Sequence, residues 1–194
     1  MISCVLLSAG ESQRFGSPKA LATLGKHTAI EKLQSTLVDS PVDEIIVVLG
    51  AHLDAVKPYV FNHKKVRIVY NKDHKLGQTS SFQAGLSAVA KESKAVFLAP
   101  VDCPLVQILT ISALIDHFKK NDPAILVPAY KGKRGHPPLF NISFKKEILA
   151  LPTSTGLNTL FEKYIPDTLE INDPGIIRTF NTPTDLEQIK KNAV

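Results

Sequence analysis

Apolar residues fall in short unbroken runs along this chain, and stretches with helical spacing lie between the runs. Residues 2–7, 44–49, 66–70, 95–100 and 124–129 each read as a strand. The first is almost wholly apolar, as a strand covered on both faces would be. Ala29, Ile30, Leu33 and Leu37 recur at helical spacing. Phe82, Leu86, Val89 and Ala90 share one face of a helix expected over 80–90, and a short helix is expected over 52–60 despite Pro58. Ile108, Ile111, Leu114, Ile115 and Phe118 give the clearest amphipathic pattern. Strands alternating with helices predict an α/β fold around a mainly parallel sheet. No repeat, low-complexity stretch or linker divides the 194 residues, so a single domain over 1–194 is expected.

Ligands of open α/β sheets collect at the carboxyl ends of the strands. The first strand runs into Ser8-Ala-Gly-Glu-Ser-Gln-Arg-Phe-Gly-Ser-Pro-Lys19. Glycines at 10 and 16 let backbone N–H groups approach an anion, and Arg14 and Lys19 add two cations. That combination suits a triphosphate. It is not a P-loop, because the second glycine would have to be residue 15, which is Phe. Nor is it a dinucleotide fingerprint, because the second strand ends at Leu49-Gly-Ala51 with no acid for a ribose. On spacing alone, an ordinary strand-loop with a surface Arg and Lys reads equally well.

Composition narrows the partners. A net charge of +5 and a pI near 9.1 fit an anionic small molecule, but also RNA or no charged partner at all. No basic run with interleaved aromatics is present, which argues against nucleic acid. Hydrophobic content of 44% with 21% charged residues is that of a soluble globular protein. Cys4 and Cys103 stand far apart and outside any metal-ligand spacing, so a reducing compartment, the cytoplasm, is the expected location. The longest apolar runs are too short for a bilayer and no basic-then-apolar leader precedes residue 2, so no membrane partner is expected.

Four further places follow the strands. In Gly77-Gln-Thr-Ser-Ser-Phe82 a glycine and hydroxyls open a helix, either as caps by Thr79 or Ser80 or as groups that read a base and ribose. Asp102 is the only acid in a long apolar stretch; it either starts a turn before Pro104 or holds Mg²⁺, which takes one or two carboxylates and completes its shell with water and phosphate. Tyr130-Lys-Gly-Lys-Arg-Gly-His-Pro-Pro138 makes a rigid turn with cationic tips, which an exposed hairpin also explains. Phe180-Asn-Thr-Pro-Thr-Asp185 reads as a helix start with Thr182 as N-cap and Pro183 at the first helical position.

Taken together, Leu7-Ser-Ala-Gly-Glu-Ser-Gln-Arg-Phe-Gly-Ser-Pro-Lys19 resembles the nucleotidyltransferase signature L-x-A-G-x-S-x-R-x-G-x-x-K, and within it the molybdenum-cofactor cytidylyltransferase branch. The resemblance extends over nearly the whole chain. It implies a three-layer Rossmann-like fold and Mg²⁺-dependent transfer of a nucleoside monophosphate, CMP from CTP rather than GMP from GTP, to a phosphorylated acceptor such as molybdopterin. A molybdoenzyme partner is implied with it. Leu7, Ser8, Ala9 and Gly10, with Gly77, Thr79, Ser80 and Ser81, would bind the nucleotide. Arg14, Lys19 and Asp102 would be catalytic, Asp102 and Asn181 would hold the metal, and Arg134 and His136 would meet the acceptor.

Departures from the family pattern are specific. Gln78, Thr79 and Phe82 differ from Gly-Met-Ser-Ser-Ser-Leu; Ala9 replaces a glycine usual in guanylyltransferase relatives; Asn181 replaces the Asp usual in the cytidylyl branch. Thr153-Ser-Thr-Gly-Leu-Asn158 stands where Gly-Asp-x-Gly is common, without its acid. Transfer to a sugar phosphate or small alcohol phosphate, and passive binding of a nucleotide or pterin, stay open as alternatives.

Overall fold

The first strand, β1 (Ile2–Ser8), is buried at all seven positions and lies at the middle of the sheet, with β4 (Glu44–Leu49) on one side and β6 (Ala95–Pro100) on the other. Both pairings are parallel, and Leu7 stands opposite Val48 and Pro100. The computed structural model describes residues 1–191. The remaining main-sheet strands are β5 (Val66–Tyr70), β7 (Ile125–Tyr130), β8 (Lys133–Arg134), β9 (Leu139–Asn141) and β10 (Asp167–Glu170). The order is β10-β7-β9-β6-β1-β4-β5, with β8 paired to β7. Only β8 and β9 run against the rest. A two-stranded hairpin, β2 (Thr23–Leu24) and β3 (His27–Thr28), leads into the first helix.

Alternation along the strands separates two cores. Cys4 and Leu6 face α1 (Ala29–Asp39), α4 (Ile108–Asn121) and α7 (Pro183–Lys191), through Leu33, Ile111, Leu114, Ile115 and Leu186. Val5 and Leu7 face α3 (Gln78–Ala88), α5 (Lys145–Ala150) and α6 (Thr159–Lys163), through Phe82, Leu86, Ile148 and Leu160. A sheet covered on both faces explains the unbroken apolar runs. Helix α3 lies against β1 and β4 so closely that a Cβ at Gly85 would strike the methyls of Val5 and Val48. No helix among the described residues is long and apolar enough to cross a membrane.

The five expected strands are all present, the last shifted by one residue to Ile125–Tyr130. The helix expected over 52–60 is interrupted: α2 (Leu53–Val56) gives way to a 3₁₀ turn at Lys57–Tyr59. Pro58 has no N–H to continue the helical ladder. The helix expected over 80–90 starts two residues earlier and ends at Ala88, because Val89 is already extended; Val89 is still buried, and Ala90 lies beyond the helix.

Candidate functional site

The loop after β1 is fixed where it leaves the strand. The Leu7 carbonyl accepts from Val101 N (3.1 Å) and the Ala9 carbonyl from Ala51 N (3.1 Å). Beyond them the chain turns through Ser12 at φ 55° and Gly16 at φ 79°. Ser12 holds the turn: its carbonyl accepts from Phe15 N (2.9 Å) and Gly16 N (3.0 Å), and its hydroxyl accepts from Lys19 N (3.2 Å). Phe15 packs on Phe180, with ring centroids 5.5 Å apart, and the His52 ring reaches the Glu11 carbonyl (3.0 Å). Gly10 is exposed, with open space where a side chain would begin.

Four polar side chains meet beside this loop. Lys19 Nζ donates to Asp102 Oδ2 and to Asn181 Oδ1, each at 2.9 Å, and Arg14 Nη2 donates to Asn181 Oδ1 at 3.2 Å. Asp102 follows β6, and its carbonyl accepts from Phe180 N (3.1 Å), which brings the carboxy-terminal segment alongside. Asp185 then sets Asn181: its Oδ2 accepts from Asn181 N and Thr182 N at 2.8 Å each, while Thr182 Oγ1 accepts from Asp185 N (3.2 Å). Those hydrogen bonds from Asn181 and Thr182 hold the Asp185 carboxyl below the usual aspartate range. The expected helix start is therefore present, and it carries the site residue Asn181.

Asp102 and Asn181 already present two oxygens to one cation, the Lys19 ammonium, so the pair suits a hard cation in charge and donor type. Among the described residues no group of three or more His, Cys, Asp or Glu forms a metal cluster. One carboxylate and one amide oxygen match an ion that keeps most of its shell for water and phosphate. Cys103, next in the chain, is buried; desolvation, with the charges of Asp102 and Asp173, pushes its thiol well up and keeps it protonated.

A cleft of about 620 Å³ runs along the loop, over Arg14, Lys19, Asp102 and Asn181 to the start of α3. Leu7, Ser8, Ala9, Gly10, Gly77 and Ser81 line it. Thr79 and Ser80 do not line it: Thr79 Oγ1 donates to the Thr155 carbonyl (2.6 Å), and Ser80 Oγ donates to the Asp73 carbonyl (2.8 Å) and accepts from Asn71 Nδ2 (2.8 Å). Neither caps α3, whose N-cap is Gly77 at φ 100° with no side-chain cap. Both residues lie inside the first turn of the helix, where a cap cannot form.

Arg134 and His136 stand apart from that cleft, in the wall of a second cavity of about 300 Å³. Its lining is largely apolar, with Leu98, Val127, Phe140, Leu157 and Phe161. Arg134 is exposed on β8; His136 is part-buried, and its Nδ1 is shut off from solvent without a hydrogen-bond partner. Burial pushes the imidazole below its ordinary value, partly opposed by the charge of Asp102. The stretch that lacks the family acid supplies Leu157 and Asn158 to this wall. Sequence reasoning missed Asp173, which is buried and accepts from Gln107 N (2.9 Å), Thr110 Oγ1 (2.6 Å) and Gly175 N (2.8 Å), anchoring α4 under the site. The following Pro174-Gly175 signals a turn but not its distant partners.

Residues 4–168 match the MobA-like NTP transferase domain. The chain is 28% identical over 180 residues to the nicotine blue oxidoreductase of Paenarthrobacter nicotinovorans, which covers 89% of this chain and 86% of that one. It is 27% identical over 202 residues to the molybdenum cofactor cytidylyltransferase of Escherichia coli (98% and 96%), and 24% identical over 215 residues to a probable molybdenum cofactor guanylyltransferase of Natranaerobius thermophilus (98% and 95%). Among solved structures, a Mycobacterium species homologue of the Mycobacterium tuberculosis protein Rv0371c superposes with a TM-score of 0.87 at 26% identity, covering 98% of this chain and 96% of that one. Rv0371c in complex with manganese shares the fold at a TM-score of 0.81 and 22% identity, over 98% of each chain.

Proposed function

The chain belongs to the MobA-like NTP transferase family and is a nucleotidyltransferase, and on that premise we propose that it moves CMP from CTP to a phosphorylated acceptor of the molybdopterin class. The observation that carries this reading is the meeting of Arg14, Lys19, Asp102 and Asn181 along one cleft with the glycine loop. The loop N–H groups around Gly10, with Arg14 and Lys19, hold the triphosphate and offset charge that develops on the leaving pyrophosphate. An acceptor phosphate, already anionic at neutral pH, needs no strong base, so positioning and charge stabilisation carry the reaction. Asp102 and Asn181 would hold Mg²⁺, which neutralises phosphate oxygens when bound. His136 positions the acceptor, and Arg134 pairs with its phosphate.

The lean to CTP rests on Ala9, a buried residue whose methyl leaves less room than the glycine of guanylyl relatives. The apolar wall of the second cavity favours a ring-bearing acceptor over a sugar phosphate, and the product would pass to a molybdoenzyme. We read the whole chain as one nucleotidyltransferase domain. The test is a matrix of CTP, GTP, ATP and UTP against molybdopterin and several sugar phosphates, with and without Mg²⁺, read as pyrophosphate release. The expected result is metal-dependent release that is largest with CTP and molybdopterin. Oxidation or reduction of nicotine blue with no pyrophosphate from any pair would overturn it, in favour of the chemistry named for the Paenarthrobacter relative.

A further inference from the structure

Gly77 is followed by four polar side chains, and the fold engages three of them. Thr79 donates to Thr155, Ser80 to Asp73 and Ser81 to the Gly77 carbonyl (3.2 Å), while Asn71 Nδ2 donates to both serines (2.8 and 3.1 Å). These bonds lock the first turn of α3. Gln78, the first helical residue, is exposed, and its carboxamide has no protein partner among the described residues. A fixed backbone thus carries one free amide.

The place of that amide is the second observation. Gln78 lines both the cleft of about 620 Å³ and the cavity of about 300 Å³, and among the described residues no other lines both. Nucleotidyl transfer between the two needs the attacking oxygen within about 3–3.5 Å of the α-phosphorus, so the reacting atoms would have to meet near the residue that borders both spaces. The amino end of α3 adds its positive dipole there. A carboxamide donates two N–H groups without changing its protonation, and the methionine of the resembling segment has none to offer.

Resting on the nucleotidyl-transfer reading, we propose that Gln78 is a catalytic residue at this seam, its amide N–H groups donating to the attacking phosphate oxygen of the acceptor and to the α-phosphate under attack. The acceptor oxygen forms its bond to the α-phosphorus as the bond to the bridging oxygen breaks, and pyrophosphate leaves with the electron pair. Gln78 exchanges no proton; it fixes the line of attack.

The test uses the full chain with CTP, Mg²⁺ and molybdopterin, comparing wild type with Gln78→Met, which keeps the length and loses the amide, and Gln78→Glu, which keeps the shape and repels phosphate. The expected result is a fall in kcat on the order of 10²-fold in Gln78→Met and a larger one in Gln78→Glu. In Gln78→Met the dissociation constant for CTP should stay within about twofold and the thermal midpoint should not move, as a merely structural role would not allow. Wild-type turnover in both variants, or CTP affinity lost in step with kcat in Gln78→Met, overturns the role of Gln78 alone. No pyrophosphate from the wild type overturns the transfer reading, and the role of Gln78 with it.

Discussion

Lys19 and Asp102 form an ion pair at 2.9 Å in which neither side chain is more than a quarter exposed, 17% and 24% respectively. On the proposed reading Lys19 meets charge in the transition state directly and Asp102 through the metal it would hold. Lys19→Ala and Asp102→Ala are each expected to lower kcat by ~10²–10³, about 3–4 kcal/mol, measured as pyrophosphate release from protein shown by circular dichroism to be folded. Near-normal turnover in a folded Asp102→Ala would remove the metal assignment. These two residues, with Arg14 and Asn181, are legible in the sequence because each is polar chemistry just past a buried run or at a helix start. The hydroxyls of Thr79 and Ser80 are not. Whether they face a ligand or the backbone depends on the Thr155 and Asp73 carbonyls, and nothing local to residues 79–80 announces that the Thr155 carbonyl is near.

Close packing of α3 on the sheet gives a prediction for an element. Gly85→Val would put two methyls where Val5 and Val48 already stand. Overpacking of this kind costs typically about 1–3 kcal/mol, and the added branched side chain gains little helix propensity to offset it. Urea unfolding should show a lower midpoint with an unchanged slope. The start of α7 gives a pH prediction. The Asp185 carboxyl lies below its ordinary value of 3.8 in the folded protein, chiefly through the hydrogen bonds from Asn181 and Thr182. Its contribution is therefore present above that ordinary value and is lost as pH falls through the lower folded one. The gap in thermal midpoint between wild type and Asp185→Asn should be constant near neutrality and close in strong acid. The long elements are legible from periodicity. The strands β9, three residues after two prolines, and β10, four mostly polar residues, carry too little pattern to be seen and are defined by the pairing of β7 with each.

At the level of the molecule the site is a long-range product. Its parts come from the loop that follows Leu7, from Gly77, Gln78 and Ser81, and from Asp102 and Asn181, held by the Asp102–Phe180 backbone hydrogen bond and the Phe15–Phe180 contact. The parallel order of β6, β1, β4 and β5, expected from the alternation of strand and helix, is what brings their carboxyl ends to one rim. The ammonium of Lys19 has a thermodynamic consequence at that rim. It competes with any divalent ion for both oxygens, so free metal should bind weakly until a triphosphate draws the lysine away, and the two ligands should load cooperatively. Titration of Mn²⁺ followed by its paramagnetic resonance should show tighter uptake by Lys19→Met than by wild type when nucleotide is absent, and a smaller further gain when CTP is added. Equal uptake by both would mean that the lysine never guarded the oxygens. A resting protein built this way supplies its own counter-charge and would be spared from gathering stray ions before its substrate arrives.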